Sequence, residues 1–260
     1  MKIKNILIIL TTLIVSYSSV FCQKLPQNRS KLPILVLIET NPQIYITGYE
    51  TPAFAVYTDG TVIYSKKESS EKINYFSVKL DPAQLNKLIT EFNLPELRSL
   101  EEFYDVASDP ADQPNNILFF NCGDSLDASR VYGDLRNDTA ARDLTPKSFL
   151  RVYEKITTLD FENSNVWMPD RVELVINEYE KSKDPKDWPD DWPDLESEGT
   201  VRHGNLYSLY LDLTKYEKFK ILQSDRKKGH GFLISGKKWK VTVRYPFPEE
   251  DIWTNFIFNY

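Results

Sequence analysis

Apolar positions along this chain change their period repeatedly, and each change predicts an element. Ile34–Ile38 is a continuous apolar run, the pattern of a buried strand. Ala53–Lys66 alternates around Asp59-Gly60. Asp-Gly between two alternating runs predicts a hairpin, through a type I′ turn with positive φ at both central residues. Ile73–Leu80 predicts a strand, and Asp81-Pro82 supplies the N-cap and first residue of a helix. Leu85, Leu88, Ile89 and Phe92 then recur along one helical face, which Pro95 ends. Residues 101–115 are acidic, carry Pro110 and Pro114, and predict a long loop. Asn116–Cys122 and Ala128–Tyr132 predict a second hairpin across Gly123-Asp124. Thr145-Pro146 caps a helix with Phe149, Leu150, Tyr153 and Ile156 on its apolar side. Val172–Tyr179 and Leu206–Leu213 read as strands, and Thr214 as the cap of a helix carrying Tyr216, Phe219 and Leu222. Gly231–Ser235 and Lys238–Tyr245 form a last hairpin across Gly236-Lys237, with Trp239, Val241 and Val243 on one face. Lys238, Lys240, Thr242 and Arg244 take the other, read as the basic solvent face of an edge hairpin.

These elements imply an α+β fold of antiparallel hairpins with about three packed amphipathic helices. Residues 32–162 and 163–260 are expected to form two α+β subdomains, after a loose arm at 23–31. Strand–helix–hairpin stretches at 73–132 and 206–245 resemble each other, so they are candidates for related units, provided their strand orders match.

The amino terminus adds an address. Lys2 and Lys4 precede an apolar run from Ile6 to Val15, then small residues, which is a secretory signal pattern over 1–22. Thr11, Thr12 and Ser16 interrupt the run, so it reads as a leader rather than a membrane span. Cleavage after Cys22 would leave Gln23 first and take the net charge from −6 to −8. The alternative is a lipid anchor on Cys22, although Phe21 is bulkier than such signals use. Cys122 would then be the only cysteine left in the secreted chain, which fits a disulfide-free, bacterial-type envelope protein. It reads as a strand-end core residue rather than a nucleophile.

Composition narrows the chemistry. With 41% hydrophobic and 27% charged residues over 260 positions, the chain is long enough to fold without staples. An acidic balance argues against a nucleic-acid binder. There are two histidines, His203 and His230, both beside glycine, and no GxSxG, HExxH, GxGxxG, CxxC or P-loop motif. No catalytic, metal or cofactor residue is therefore assigned.

The most unusual segment is 181–205, with seven acidic residues between Asp184 and Glu198 and two Asp-Trp-Pro copies. Proline-held Trp188 and Trp192 could present flat faces for sugar stacking or peptide docking, with Asp187 and Asp191 as acceptors. Alternatively the rings cover the core and the carboxylates stay in water. The acidic spacing lacks the pattern of a calcium loop.

The run Phe54–Tyr64, with its Phe-x-x-Tyr-x-Asp-Gly-Thr hairpin, then Leu80-Asp81-Pro82 and a helix, resembles uncharacterised bacterial secreted proteins and lipoproteins of Bacteroidetes type. Trp188-Pro189, Trp192-Pro193-Asp194-Leu195 and Gly236-Lys237-Lys238-Trp239 are similar to the second half of such chains. The resemblance implies export, and implies no activity and no catalytic residue. The expected function is thus a secreted or periplasmic envelope protein that binds an envelope protein or a glycan without catalysis. A carboxylate-based hydrolase of polysaccharide or peptide is the alternative, and a purely structural component, with both loop tryptophans buried, a third.

Overall fold

The computed structural model describes residues 31–40, 50–67, 73–109, 112–123, 125–224 and 231–258. The leader, Cys22, most of the arm, Asp124 and His230 lie outside them. The fold is α+β, with fourteen strands in two sheets, mostly antiparallel.

The first sheet uses β1 (Pro33–Glu39), β2 (Phe54–Tyr57), β3 (Thr61–Lys67) and β4 (Ile73–Lys79). After α1 (Pro82–Phe92) and α2 (Leu94–Leu97) come β5 (Phe103–Asp105), β6 (Asn115–Asn121) and β7 (Leu126–Tyr132). Then follow α3 (Thr139–Leu144), α4 (Lys147–Thr157) and β8 (Asn165–Val166). Strand order is β5-β7-β6-β1-β2-β3-β4-β8, with β5 parallel to β7. The continuous apolar runs are explained by burial on both faces. Leu35, Leu37, Phe54, Val56, Leu118 and Phe120 face a core closed by α1 to α4, through Phe92, Leu97, Phe149 and Val152.

The second sheet uses β9 (Arg171–Glu178), β10 (Lys186–Asp187), β11 (Val201–His203) and β12 (Leu206–Asp212). After α5 (Leu213–Ser224) come β13 (Phe232–Ile234) and β14 (Lys237–Arg244). Its order is β10-β13-β14-β9-β12-β11. Val172, Leu174, Ile176, Leu209, Leu211 and Val241 pack with Phe219 of α5. A final helix, α6 (Asp251–Phe258), returns to the first sheet. Its Ile252, Trp253 and Ile257 cover Val36, Ile38, Ala55, Tyr57, Ile63 and Phe119, the face opposite α1 to α4.

Local chemistry is mostly as the sequence predicts, with instructive differences. Asp81 and Gln84 form a reciprocal capping box, with Gln84 N donating to Asp81 Oδ1 at 2.8 Å and Asp81 N to Gln84 Oε1 at 3.0 Å. In the first hairpin only Gly60 has positive φ, at 85°, and its N–H donates to Tyr57 O at 3.0 Å. The loop is thus three residues closed by a left-handed glycine, not a two-residue type I′ turn. A Cβ at Gly60 would lie 2.4 Å from Leu80 O, so the position also needs glycine for space. Positive φ at both Ser235 and Gly236 moves the last turn one residue back, off Lys237. Asp212, not Thr214, caps α5, accepting Lys215 N at 2.8 Å. Thr145 Oγ1 donates to Ala141 O, so α4 starts at Pro146 without a side-chain cap.

Three larger expectations are corrected. The two strand–helix–hairpin stretches differ in order: three strands separate β4 from its hairpin, and its first strand is nearest. Only β9 separates β12 from its hairpin, and there the second strand is nearest. Capping chemistry alone explains their similarity. The last hairpin is not a solvated edge, since β14 lies between β13 and β9 and Arg244 is buried. The expected boundary at 162/163 precedes β8, which joins the first sheet, and α6 also packs there.

Trp253 is fully buried beneath the first sheet. Trp253→Ala should cost about 3–5 kcal/mol. Urea unfolding monitored by circular dichroism checks this, and an unchanged midpoint would show that α6 adds nothing to the first core.

Candidate functional site

The Asp-Trp-Pro loop is a core cap. Lys186 N donates to Gly231 O and Trp188 N to Leu233 O, both at 3.1 Å, laying β10 against β13. Trp188 Nε1 donates to Pro193 O at 2.8 Å. The two indoles meet edge to face at 5.4 Å and pack on Phe219, with Phe232 also against Trp188. Trp188 is 7% and Trp192 8% exposed, so neither offers a free ring face. Asp187 and Asp191 are exposed, and the structure does not bring them together with an accessible aromatic surface. Cys122 lies half-buried just past β6, its Sγ 3.9 Å from Leu94 O. His203 is exposed on β11. Among the described residues no group of three or more His, Cys, Asp and Glu is placed to hold a metal ion. No helix among them is long and apolar enough to cross a membrane.

A different tryptophan lines a concave site. The segment between the sheets, Trp167-Met168-Pro169-Asp170-Arg171, forms a groove of about 650 Å³ with Lys31, Gly199, Tyr210, Pro246, Phe247 and Pro248. Trp167 is half-buried, and its position is set from beneath. Its backbone N–H donates to Tyr75 O at 2.8 Å, and its ring meets Phe247 at 4.9 Å and Tyr75 at 6.2 Å, both near edge to face. Asp170 and Arg171 are exposed at the rim and opposite in charge. Lys31 places its ammonium 4.6 Å from the Tyr57 ring centre. Burial holds its pKa below the ordinary lysine value, opposed by Asp59. Burial would raise the Asp59 carboxyl, but hydrogen bonds from Lys79 and Thr61 outweigh it and hold it low.

The groove opens at the end of one face of the second sheet. Strand alternation puts Arg171, Glu173 and Asn177 of β9 on the face opposite the core covered by α5. Ser208 and Tyr210 of β12 and Arg244 of β14 share that face. Arg244, 5% exposed, donates through Nη1 to Glu173 Oε2 at 2.6 Å and through both Nη atoms to Glu250 at 2.9 and 2.6 Å. Burial alone would lower the arginine pKa, and the two carboxylates more than offset it. Buried Glu173 and partly exposed Glu250 are thus both paired with one cation. On this face the buried Arg244 Nε, Ser208 Oγ and Asn177 Oδ1 have no hydrogen-bond partner among the described residues.

The sequence held a usable sign of this groove. Trp167-Met168-Pro169-Asp170-Arg171 repeats the chemistry of the loop tryptophans, an aromatic beside proline and acid, in a connection between two predicted elements. What it could not show is that Pro246–Pro248, eighty residues on, forms the other wall.

Two outcomes follow. Trp188→Ala should destabilise the protein by about 3–5 kcal/mol, while Asp187→Asn with Asp191→Asn should change stability by less than about 0.5 kcal/mol each; urea titrations read both. Arg244→Met should cost about 3–5 kcal/mol because it strands buried Glu173, and adding Glu173→Leu should recover part of that. Equal midpoints for the single and double variants would show that the pair is not coupled.

Comparison with known proteins is silent: no protein-family model, curated protein or solved structure matches the chain.

Proposed function

We propose that this is an exported envelope protein that acts by binding, with the groove between the two sheets as its site. The observation that carries this reading is the groove's composition. It joins an aromatic platform, Trp167, to an acceptor at Asp170 and donors at Arg171 and Lys31. Ligand sites are typically concave, largely apolar and equipped with a few placed polar groups. Export rests on the leader-like residues 1–22 and on the resemblance of the Asp59-Gly60 hairpin to secreted bacterial proteins. The partner moves from the acidic loop to the groove, because Trp188 and Trp192 are occupied in the core.

Retention on isolated bacterial envelopes tests it. The fluorescently labelled full chain should sediment with envelopes, and Trp167→Ala should reduce the retained fraction several-fold. Equal retention of both proteins would remove the groove from the function. Release of reducing sugar or free amine during the incubation would turn the reading to the hydrolase alternative. Intact mass of the exported protein should fall by residues 1–22, whereas a diacylglycerol adduct on Cys22 would show a lipid anchor instead.

A further inference from the structure

We infer that the occupant of this groove is a saccharide, recognised by its ring face and its hydroxyls; the inference rests on the groove being a binding site. Three observations converge on it. Trp167 and Tyr210 are the half-buried aromatic side chains lining the groove, whereas Phe247 is 3% exposed and meets Trp167 near edge to face. A pyranose ring lies flat on an indole of this kind.

The polar groups match hydroxyls. Asp170 only accepts and Arg171 only donates, and they are adjacent in sequence at the rim beside the platform. Neighbouring hydroxyls of a sugar satisfy both, because each hydroxyl donates one hydrogen bond and accepts others. The walls point the same way. Pro169, Pro246 and Pro248 have no N–H, so they cannot supply the alternating ladder that an added peptide strand requires.

Calorimetry on the full chain tests the inference. Cellohexaose, mannohexaose, chitohexaose and a galacturonic acid trimer are titrated alongside a panel of proline-containing decapeptides. Wild type is compared with Trp167→Ala and Asp170→Asn. At least one oligosaccharide should bind, with Trp167→Ala weakening it by about tenfold and Asp170→Asn by about threefold. If Trp167→Ala fails to fold, Asp170→Asn carries the test, since its side chain is exposed. Oligosaccharide binding that neither variant weakens would place the sugar elsewhere and overturn the inference. Binding of a peptide but no sugar, lost in the variants, would overturn the saccharide while leaving the groove a binding site. No binding in either panel would overturn both.

Discussion

Arg244 ends the last strand of the second sheet with a guanidinium held between two carboxylates, and the path of the C-terminal segment depends on it. Glu173 is its cross-strand neighbour on β9 and Glu250 lies six residues on. Satisfying both forces Tyr245–Glu249 to double back within hydrogen-bonding range of β14. Glu250 Oε2 also accepts Phe247 N at 3.0 Å, and Tyr57 donates its hydroxyl to Pro248 O at 2.9 Å. The turn is completed at Glu249 with φ 55°, a left-handed position that a non-glycine residue takes only where its surroundings hold it. From there α6 can run only across the first sheet. A buried ion set of this kind adds little net stability over an apolar substitute. Here it sets direction, and the direction gives the first sheet its second cover and the groove its proline wall.

The same turn connects two cores that would otherwise be separate. Edge-to-face, tilted and stacked contacts run from Trp192 and Trp188 through Phe232, Phe219 and Tyr216. They continue through Tyr245 and Tyr75 to Phe247 and Trp167. Tyr216 and Tyr245 also share a hydroxyl hydrogen bond of 2.7 Å. The 13% aromatic content is therefore not only filler for helix faces and hairpins. Large rings bridge distances that aliphatic side chains would leave as voids, and each contact restricts its neighbour's orientation. Trp167 inherits its pose from this series, so its ring is held in place by the protein's own contacts.

Local rules were legible where neighbours along the chain decide the outcome. The Asp81–Gln84 box, the hairpin at Gly60 and the apolar face of α4 all follow from residues within a turn or two of each other. Long-range decisions were not. Arg244 follows the alternation of β14 as a solvent-face residue, and only its pairing with Glu173, seventy-one residues away, makes it interior. Thr214 and Asp212 are both reasonable caps, and geometry at Lys215 selects the aspartate. The helix α6 had a readable pattern, acidic residues before Ile252, Trp253, Phe256 and Ile257. Eight residues is nonetheless too short to be helical without the sheet beneath it.

The tryptophans show why sequence context alone does not set burial. Trp188, Trp192 and Trp167 all sit among prolines and aspartates, so their sequence contexts have nearly the same chemistry. What separates them is the surface each loop meets. The 187–193 loop is tied by β10 to the edge of the second sheet, over an apolar face that α5 alone does not cover. Burying both indoles there removes a large apolar area from water, a gain that exposed rings would forfeit. The 167–171 segment meets the apolar cores only at their margins, through half-buried Trp167 and Met168. It crosses from β8 to β9 against the prolines of the doubled-back turn, and the far side of its sheet is polar. An indole there gains only partial cover from Phe247 and Tyr75, and the rest of its surface stays available. Trp167 is therefore the tryptophan whose ring this fold covers only in part, the property on which the proposed groove site draws.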